Sequence, residues 1–471
     1  MITPSSSSKK QLTSMALTLL IISAIDNIRN LPQTALFGST LIFFFVLSAL
    51  MFLIPVALVS AQLSSLSHEH GGIYHWVDRG LGPKVGLLAV WLQWINTLIW
   101  FPSILSFIAA TAAFFFNPEL ANNKTYLISV ILIVFWGLTF INLAGVHRSA
   151  KFASLGAFFG ALVPIIFIIA LAIAWLLLGH PVQIHLHLNN LFPSFNRSES
   201  WSSLGALTAI MTSFLGIELA TVHISEVKNP RTTFPKALFF SVLIILTSMT
   251  LGSLAIALVI PLDKINLVAG VMQTFSFFFT AYHLTFLIPL VVLMILVGSG
   301  GSMISWIISP AKGLLQAAES GYLPAFFTVR NRHGVAARLL IAQAVVVSLA
   351  CSAWGLMPSV NGAYWLLTDL STQLYILMYV LMFIAALRLK IKKTACMDGF
   401  KIPGGTLGTA IVCVVGLFGC IVTLLVGFLP PSSVDVGGKI HYLITFSSGM
   451  LLLIVPVVFF YAYKAWNRAK R

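Results

Sequence analysis

Two long apolar runs of this chain carry charged side chains near their middles. The first run contains Asp26 and Arg29, and the second contains Glu218. A charge at the centre of a membrane span costs about 2.5–3.5 kcal/mol on insertion scales, so such residues usually face a polar cavity or pathway. The chemistry they indicate is recognition of a charged small molecule rather than bond cleavage.

The first run, near 13–36, is expected to be interrupted at 25–31. Pro32 has no backbone donor, and its ring clashes with the carbonyl of Ile28. Proline also disfavours helical geometry at the residue before it, Leu31. We therefore predict a broken helix that resumes around Pro32, since proline is well tolerated in a first helical turn.

The second run, near 201–223, repeats the pattern because Gly216 and Glu218 lie together in its middle. One interpretation is a glycine for close helix packing and a glutamate hydrogen-bonded to a neighbour. The other is a second broken helix. Two breaks that each open a block of five spans favour an inverted-repeat transporter with its site at the bilayer midplane. Free amides and carbonyls at such breaks suit an α-amino acid or a close relative.

Composition supports a membrane protein, because 59% of the 471 residues are hydrophobic and 8% are charged. Soluble domains carry roughly 25% charged residues, which excludes a soluble enzyme of this size. The net charge of +15 comes from short basic clusters between apolar runs. It therefore indicates membrane topology rather than nucleic-acid binding.

The predicted fold class is an all-α polytopic membrane protein with about twelve transmembrane helices, since a span needs about 20 apolar residues. The predicted spans are 13–36, 38–64, 85–116, 125–144, 149–178, 201–223, 235–261, 282–316, 336–357, 361–388, 405–429 and 439–464. The predicted organisation is a cytoplasmic segment 1–12, a first repeat 13–178, a second repeat 201–390, two further helices in 402–464 and a cytoplasmic tail 465–471.

The segment 263–281 is predicted to be an amphipathic surface helix rather than a span. Its apolar residues recur at helical spacing and are Ile265, Val268, Val271, Phe275 and Phe278. Counting it as a span would move most basic residues after it to the outside, against the positive-inside rule. With twelve spans, most of the 27 Lys and Arg residues lie inside and both termini are cytoplasmic.

Several motifs resemble the amino acid–polyamine–organocation superfamily and, within it, the bacterial glutamate/γ-aminobutyrate antiporter family. The loop Gly71-Gly72-Ile73-Tyr74-His75-Trp76 is similar to a superfamily signature, as are Gly216-Ile217-Glu218 with Glu226 and Asn229-Pro230, and Ser305-Trp306-Ile307 with Pro310. Pro403-Gly404-Gly405 and Phe428-Leu429-Pro430-Pro431 resemble the antiporter family in particular. The resemblance covers nearly the whole chain.

This resemblance implies a LeuT-like 5+5 inverted repeat with discontinuous helices 1 and 6. It implies substrate contacts around the two breaks, which together with Arg29 give the candidate binding residues Ser23, Ala24, Ile25, Asp26, Asn27, Arg29, Phe214, Leu215, Gly216 and Ile217. In relatives, a glutamate at the position of Glu218 and a tryptophan at that of Trp306 help to gate or couple the site. Trp306 could equally be a packing residue.

Three further hypotheses concern individual charges. Asp26 and Arg29 could neutralise each other if their turn stays helical, or Arg29 could face the cavity and favour anionic or dipolar substrates. Glu218 is either a structural acceptor between helices or a proton-responsive gate. Asp369 is a candidate gating or ion contact, although a helix-packing carboxylate is favoured at that position.

The chain also departs from the family pattern. Helix 1 lacks the glycine-rich break of many relatives, Gly160 lies where some proton-coupled relatives carry a lysine, and the tail is short. Substrate preference should therefore not be copied across, and an acid-resistance role is disfavoured.

The predicted function is amino acid transport by alternating access, with exchange ahead of proton symport and of a non-transporting sensor. A channel would need a continuous polar pore, whereas the polar residues here cluster at the two breaks. No catalytic, metal or nucleotide motif indicates an enzyme, a metal site or a cofactor. The expected partners are a small amino acid substrate and membrane lipids, without nucleic acid, in a bacterial inner membrane; the oligomeric state stays open.

Overall fold

The computed structural model of the chain describes residues 13–65, 72–144, 160, 162–184, 187–193, 204–221, 229–319, 321–392 and 400–469. Across these ranges the secondary structure is helical, with no strand. Two motif residues quoted above, Gly71 and Glu226, lie outside them.

The described residues up to residue 177 form seven helices, besides short 3-10 turns. They are α1 (Ser14–Ile25), α2 (Leu31–Ala35), α3 (Gly38–Ser64), α4 (Ile73–Leu81), α5 (Pro83–Ala113), α6 (Lys124–Leu143) and α7 (Val163–Leu177).

The described residues from 205 onward form nine more, and a single helical turn, Leu188–Leu191, lies between the two sets. They are α8 (Gly205–Phe214), α9 (Ile217–Thr221), α10 (Pro230–Val259), α11 (Gly270–Ala281), α12 (Ile288–Glu319), α13 (Ala337–Leu356), α14 (Val360–Ile391), α15 (Gly405–Val426) and α16 (Lys439–Trp466).

Eight of the described helices are long and apolar enough to cross a membrane: α3, α5, α6, α10, α13, α14, α15 and α16. Each coincides with a predicted span. The other four predicted spans have different forms. Two are interrupted, the apolar part of α12 is Thr285–Gly300, and α7 is the described part of the span 149–178.

The predicted interruption of the first span is present. The helix α1 ends at Ile25, and Asp26 and Asn27 are extended with ψ angles of 107° and 113°. A single 3-10 turn follows, and α2 then begins at Leu31 with Pro32 in its first turn. Because Pro32 lacks an N–H, the start of a new helix is the position where it removes no hydrogen bond.

The second interruption is shorter. The helix α8 ends at Phe214, Leu215 is extended with ψ 142°, and Gly216 has φ +99° before α9 begins at Ile217. A residue with a Cβ would be strained at that φ, so glycine permits the break. The glycine here therefore serves the break and not only close helix packing.

The helix in the segment 263–281, α11, has only 12 residues and is not among the described helices long enough to cross a membrane, which agrees with the prediction that the segment is not a span. The five residues of its predicted apolar face are all at most 1% exposed. They pack onto the protein, and Ile265 and Val268 precede the helix instead of belonging to it. Tertiary packing therefore covers the apolar face of the predicted surface helix.

Burial separates the centre of the bundle from its edge. In the most apolar stretch of α5, 89% of the residues are buried, compared with 11% in that of α16. The helix α5 packs against α4, α6, α12 and α14, which places it in the middle of the protein. The apolar outer face of α16 is what a helix in contact with lipid presents.

Candidate functional site

Residues of both helix breaks line one pocket with a volume of about 110 Å³. Its lining also includes residues of three long helices, α5, α12 and α14. The lining residues are Ile25, Asp26, Asn27, Ile28, Arg29, Asn30, Asn96, Thr97, Trp100, Ile104, Gly160, Thr212, Leu215, Gly216, Gly298, Ser299, Trp306, Ser371 and Tyr375.

The carboxylate of Asp26 is half satisfied by the protein. Its Oδ2 atom accepts a hydrogen bond from the Ser248 hydroxyl at 2.8 Å, which ties the break to α10. Its Oδ1 atom is buried and has no partner among the described residues. Asp26 is one of the residues that line the pocket, and burial of a carboxylate oxygen without a hydrogen bond is unfavourable.

Arg29 is only 2% exposed. Its Nη1 donates to the Ser103 hydroxyl at 3.0 Å, and its Cζ lies 5.0 Å from the centroid of the Trp100 ring. The Tyr364 phenol also lies near enough to interact with it. Its Nε atom has no partner among the described residues.

The predicted neutralising pair between Asp26 and Arg29 is wrong. The two residues take different partners, and no ion pair joins them in the structure. An i, i+3 contact requires a helical turn, and the backbone at Asp26 and Asn27 is extended instead. Asn27 instead caps the following turn, accepting a hydrogen bond from the Arg29 amide at 3.2 Å.

The other predicted contacts divide between pocket and core. Ile25, Leu215 and Gly216 line the pocket. Phe214 and Ile217 are fully buried and are not part of its lining. Ser23 and Ala24 belong to the end of α1, and their side chains lie outside the described part of the structure.

Glu218 does not line the pocket but lies behind Tyr375, which does. Its two carboxyl oxygens accept hydrogen bonds from the hydroxyls of Tyr375 and Tyr379, and Gln93 donates to it at 3.5 Å. The Tyr379 hydroxyl oxygen in turn accepts a hydrogen bond from the Gly216 amide nitrogen, at a distance of 3.0 Å. The second break is therefore fastened to α14 through two tyrosines.

The remaining two predicted residues differ. Trp306 lines the pocket, and its ring centroid lies 5.4 Å from that of Trp100. Asp369 is buried away from the pocket, where it accepts hydrogen bonds from Tyr442 and, at 3.0 Å, from Gln373. Asp369 thus joins α14 to α16, which fits the helix-packing alternative.

Sequence reasoning missed the residues that α5 and α14 contribute to the lining of the pocket. Asn96, Trp100 and Ile104 recur every four residues on α5, and Ser371 and Tyr375 do so on α14. Polar or aromatic residues at i, i+4 in an apolar helix share one face. That spacing was a usable signal, although it does not say which neighbour the face meets.

Gly160 also lines the pocket, close to α12. A Cβ at this position would collide with the backbone of Gly298. The position that carries a lysine in some proton-coupled relatives is therefore a backbone contact in this chain.

Chemically, the pocket offers a carboxylate acceptor, a guanidinium donor, two tryptophans and the carbonyl end of α1. Such an arrangement binds and orients a small polar molecule. Among the described residues, no group of three or more His, Cys, Asp or Glu could hold a metal ion.

Comparison with known proteins indicates the family to which the chain belongs. A family model described as amino acid permease matches residues 12–455. An uncharacterized transporter of Legionella pneumophila is 37% identical over 457 residues, which cover 97% of each chain. Glutamate/γ-aminobutyrate antiporters of two Lactococcus lactis strains are each 29% identical, covering 90% of this chain and 85% of the relative in one case and 96% and 90% in the other. The resemblance in the motifs is thereby confirmed, and the chain is an integral membrane protein that belongs to the amino acid permease family of the amino acid–polyamine–organocation superfamily.

Proposed function

We propose that the protein is a secondary transporter that exchanges amino acids across the membrane by alternating access. One observation carries the proposal. Asp26 Oδ1 and Arg29 Nε are both without a partner among the described residues, and both residues line the pocket between the two breaks. An amino acid satisfies both, since its ammonium suits the carboxylate and its carboxylate suits the guanidinium.

The proposed architecture is a LeuT-like 5+5 inverted repeat with twelve spans. Residues 13–178 would form the first repeat, 201–390 the second, and 402–464 two further helices. Both termini would be cytoplasmic and the protein would lie in a bacterial inner membrane. Supporting this, each break lies in the first span of a proposed repeat, as expected of sites at a repeat interface.

Within this scheme, the residues around the breaks hold the substrate, and Trp306 and Glu218 gate the pocket. Trp306 does so from the pocket wall, and Glu218 acts through the Tyr375 hydroxyl. Asp369 affects the pocket only indirectly, because its hydrogen bond with Tyr442 links α14 to α16. Alternating access then requires α8 and α9 to move against α14, where the tyrosines hold them.

Exchange is favoured over proton symport for two reasons. The Lactococcus relatives carry the name of antiporters. In addition, the close approach of Gly160 to the Gly298 backbone leaves no room for the lysine found in some proton-coupled relatives.

The test is uptake by proteoliposomes containing the full chain, with a panel of labelled amino acids and with protein-free liposomes as the control. We expect uptake to accelerate when the same amino acid is preloaded inside. Uptake driven by an imposed pH step and indifferent to preloading would replace exchange with symport. Tight binding without flux would indicate a sensor, and neither binding nor flux with any amino acid would refute the proposal.

A further inference from the structure

We infer that Arg29 sets the charge selectivity of the pocket, as a built-in cation that admits substrates with a carboxylate and rejects amines without one. This inference rests on the proposed function, because it concerns the same pocket. It names the substrate class as amino acids without a surplus positive charge, and it excludes diamines.

The charge of Arg29 is not neutralised by an ion pair within the described part of the chain. The groups that hold it are the neutral Ser103 hydroxyl, the Trp100 ring and the nearby Tyr364 phenol. No carboxylate among the described residues forms an ion pair with it. A guanidinium keeps its charge in proteins, and an uncompensated buried charge is strongly unfavourable.

A ligand in the pocket therefore decides whether this charge is compensated. A substrate carboxylate that pairs with the guanidinium, whose Nε has no partner among the described residues, forms a charge-assisted hydrogen bond and neutralises it. An ammonium group adds a second positive charge at short range in a poorly screened site. Asp26 offers an acceptor to one ammonium, so a zwitterion is accommodated while a diamine leaves excess positive charge.

Trp100 and Trp306 form an aromatic surface in the wall of the pocket. Trp100 and Trp306 lie 5.4 Å apart between centroids, and aromatic faces of this kind attract ligand cations. Here the protein places its own guanidinium 5.0 Å from the Trp100 centroid. Arg29 therefore occupies the surface that would otherwise favour a cationic ligand, in addition to repelling it.

The experiment compares the full-length wild type with Arg29→Met and Arg29→Lys in detergent and in proteoliposomes. Methionine keeps a long apolar side chain without charge, and lysine keeps the charge without the planar guanidinium. Arg330→Met is the matched control, because Arg330 is half exposed and pairs with Glu319 away from the pocket. The probes are glutamate, γ-aminobutyrate, glutamine and putrescine, measured by thermal shift and by competition with uptake.

For the wild type, we expect all three amino acids to compete and putrescine not to compete at a hundredfold excess. Arg29→Met should weaken amino acid binding by about tenfold or more, the effect of one charge-assisted hydrogen bond. Putrescine should also compete with amino acid uptake by this variant. Arg29→Lys should still reject putrescine, and Arg330→Met should behave as the wild type does.

Two results would overturn the inference while leaving amino acid transport intact. One is putrescine competing with the wild type as well as amino acids do. The other is Arg29→Met keeping the wild-type preference for amino acids over putrescine. If Arg29→Met does not fold, as judged by gel filtration, the wild-type panel and Arg29→Lys decide. A wild type that neither binds nor transports any amino acid would refute the proposed function itself.

Discussion

The break after α1 and the break after α8 both turn a helix into extended backbone beside the same pocket. The charged residues at the two breaks differ in their hydrogen-bond partners. At the first break, Asp26 and Arg29 line the pocket, and each has an atom without a partner among the described residues. At the second break, Glu218 is held by two tyrosines and glutamine, behind the pocket wall.

We propose that this difference separates recognition from movement. Unsatisfied buried polar atoms favour binding of a ligand that pairs with them. A carboxyl group whose oxygens are bonded to a neighbouring helix instead fixes the relative position of two helices. The first break is therefore suited to select the substrate, and the second to control whether α8 and α9 can move against α14.

The largest effect is expected at the first break, in Asp26→Ala. Losing a carboxylate that pairs with a substrate ammonium should weaken binding by about 1.5–3 kcal/mol, or roughly tenfold to a hundredfold. Calorimetric titration with the best substrate of the uptake panel measures it. Asp263→Ala, in the exposed turn after α10, is the control. Unchanged affinity in Asp26→Ala would remove the first break from recognition.

The second break should respond in its pH dependence. Glu218→Gln keeps the shape of the side chain but cannot titrate, so the pH dependence of uptake should flatten while substrate affinity changes less than in Asp26→Ala. Uptake rates across a pH series, with wild type in parallel, measure this. A pH profile identical to that of wild type would rule out the gate.

A matched pair of tyrosines sharpens the contrast. Tyr375→Phe and Tyr379→Phe each remove one hydroxyl from Glu218, and we expect each to lower stability by about 1–3 kcal/mol. Only Tyr375 lines the pocket, so only Tyr375→Phe should also weaken substrate binding. Thermal unfolding and titration of both variants separate these effects, and equal losses of affinity would contradict the assignment.

The smallest effect is expected for Ser248→Ala, which removes the 2.8 Å hydrogen bond to Asp26. One hydrogen bond contributes about 0.5–1.5 kcal/mol, so affinity should change only a few fold. Titration beside Asp26→Ala checks the order. A loss as large as that of Asp26→Ala would mean that orientation of the carboxylate, rather than its charge, controls binding.

Much of the fold could be predicted from local pattern. The lengths of the apolar runs predicted eight spans that the structure forms as long apolar helices. Pro32 and Gly216 indicated the positions of the two breaks. The same reasoning failed for the supposed pair of Asp26 and Arg29, since it assumed a helical turn at a place where it also predicted a break. It also left α11 on the surface, because periodicity identifies an apolar face but not what covers it.

The sequence by itself determined the membrane class, the two helix breaks and the presence of charged residues within apolar runs, because hydropathy, proline and glycine act through local backbone chemistry. Only the tertiary structure decided that Trp100 and Tyr375 join the two breaks in one pocket, that Arg29 lies against a ring instead of a carboxylate, and that Glu218 is behind a tyrosine. These outcomes depend on which helix faces pack together across tens to hundreds of residues of sequence. Spacing along one helix carries no information about that packing.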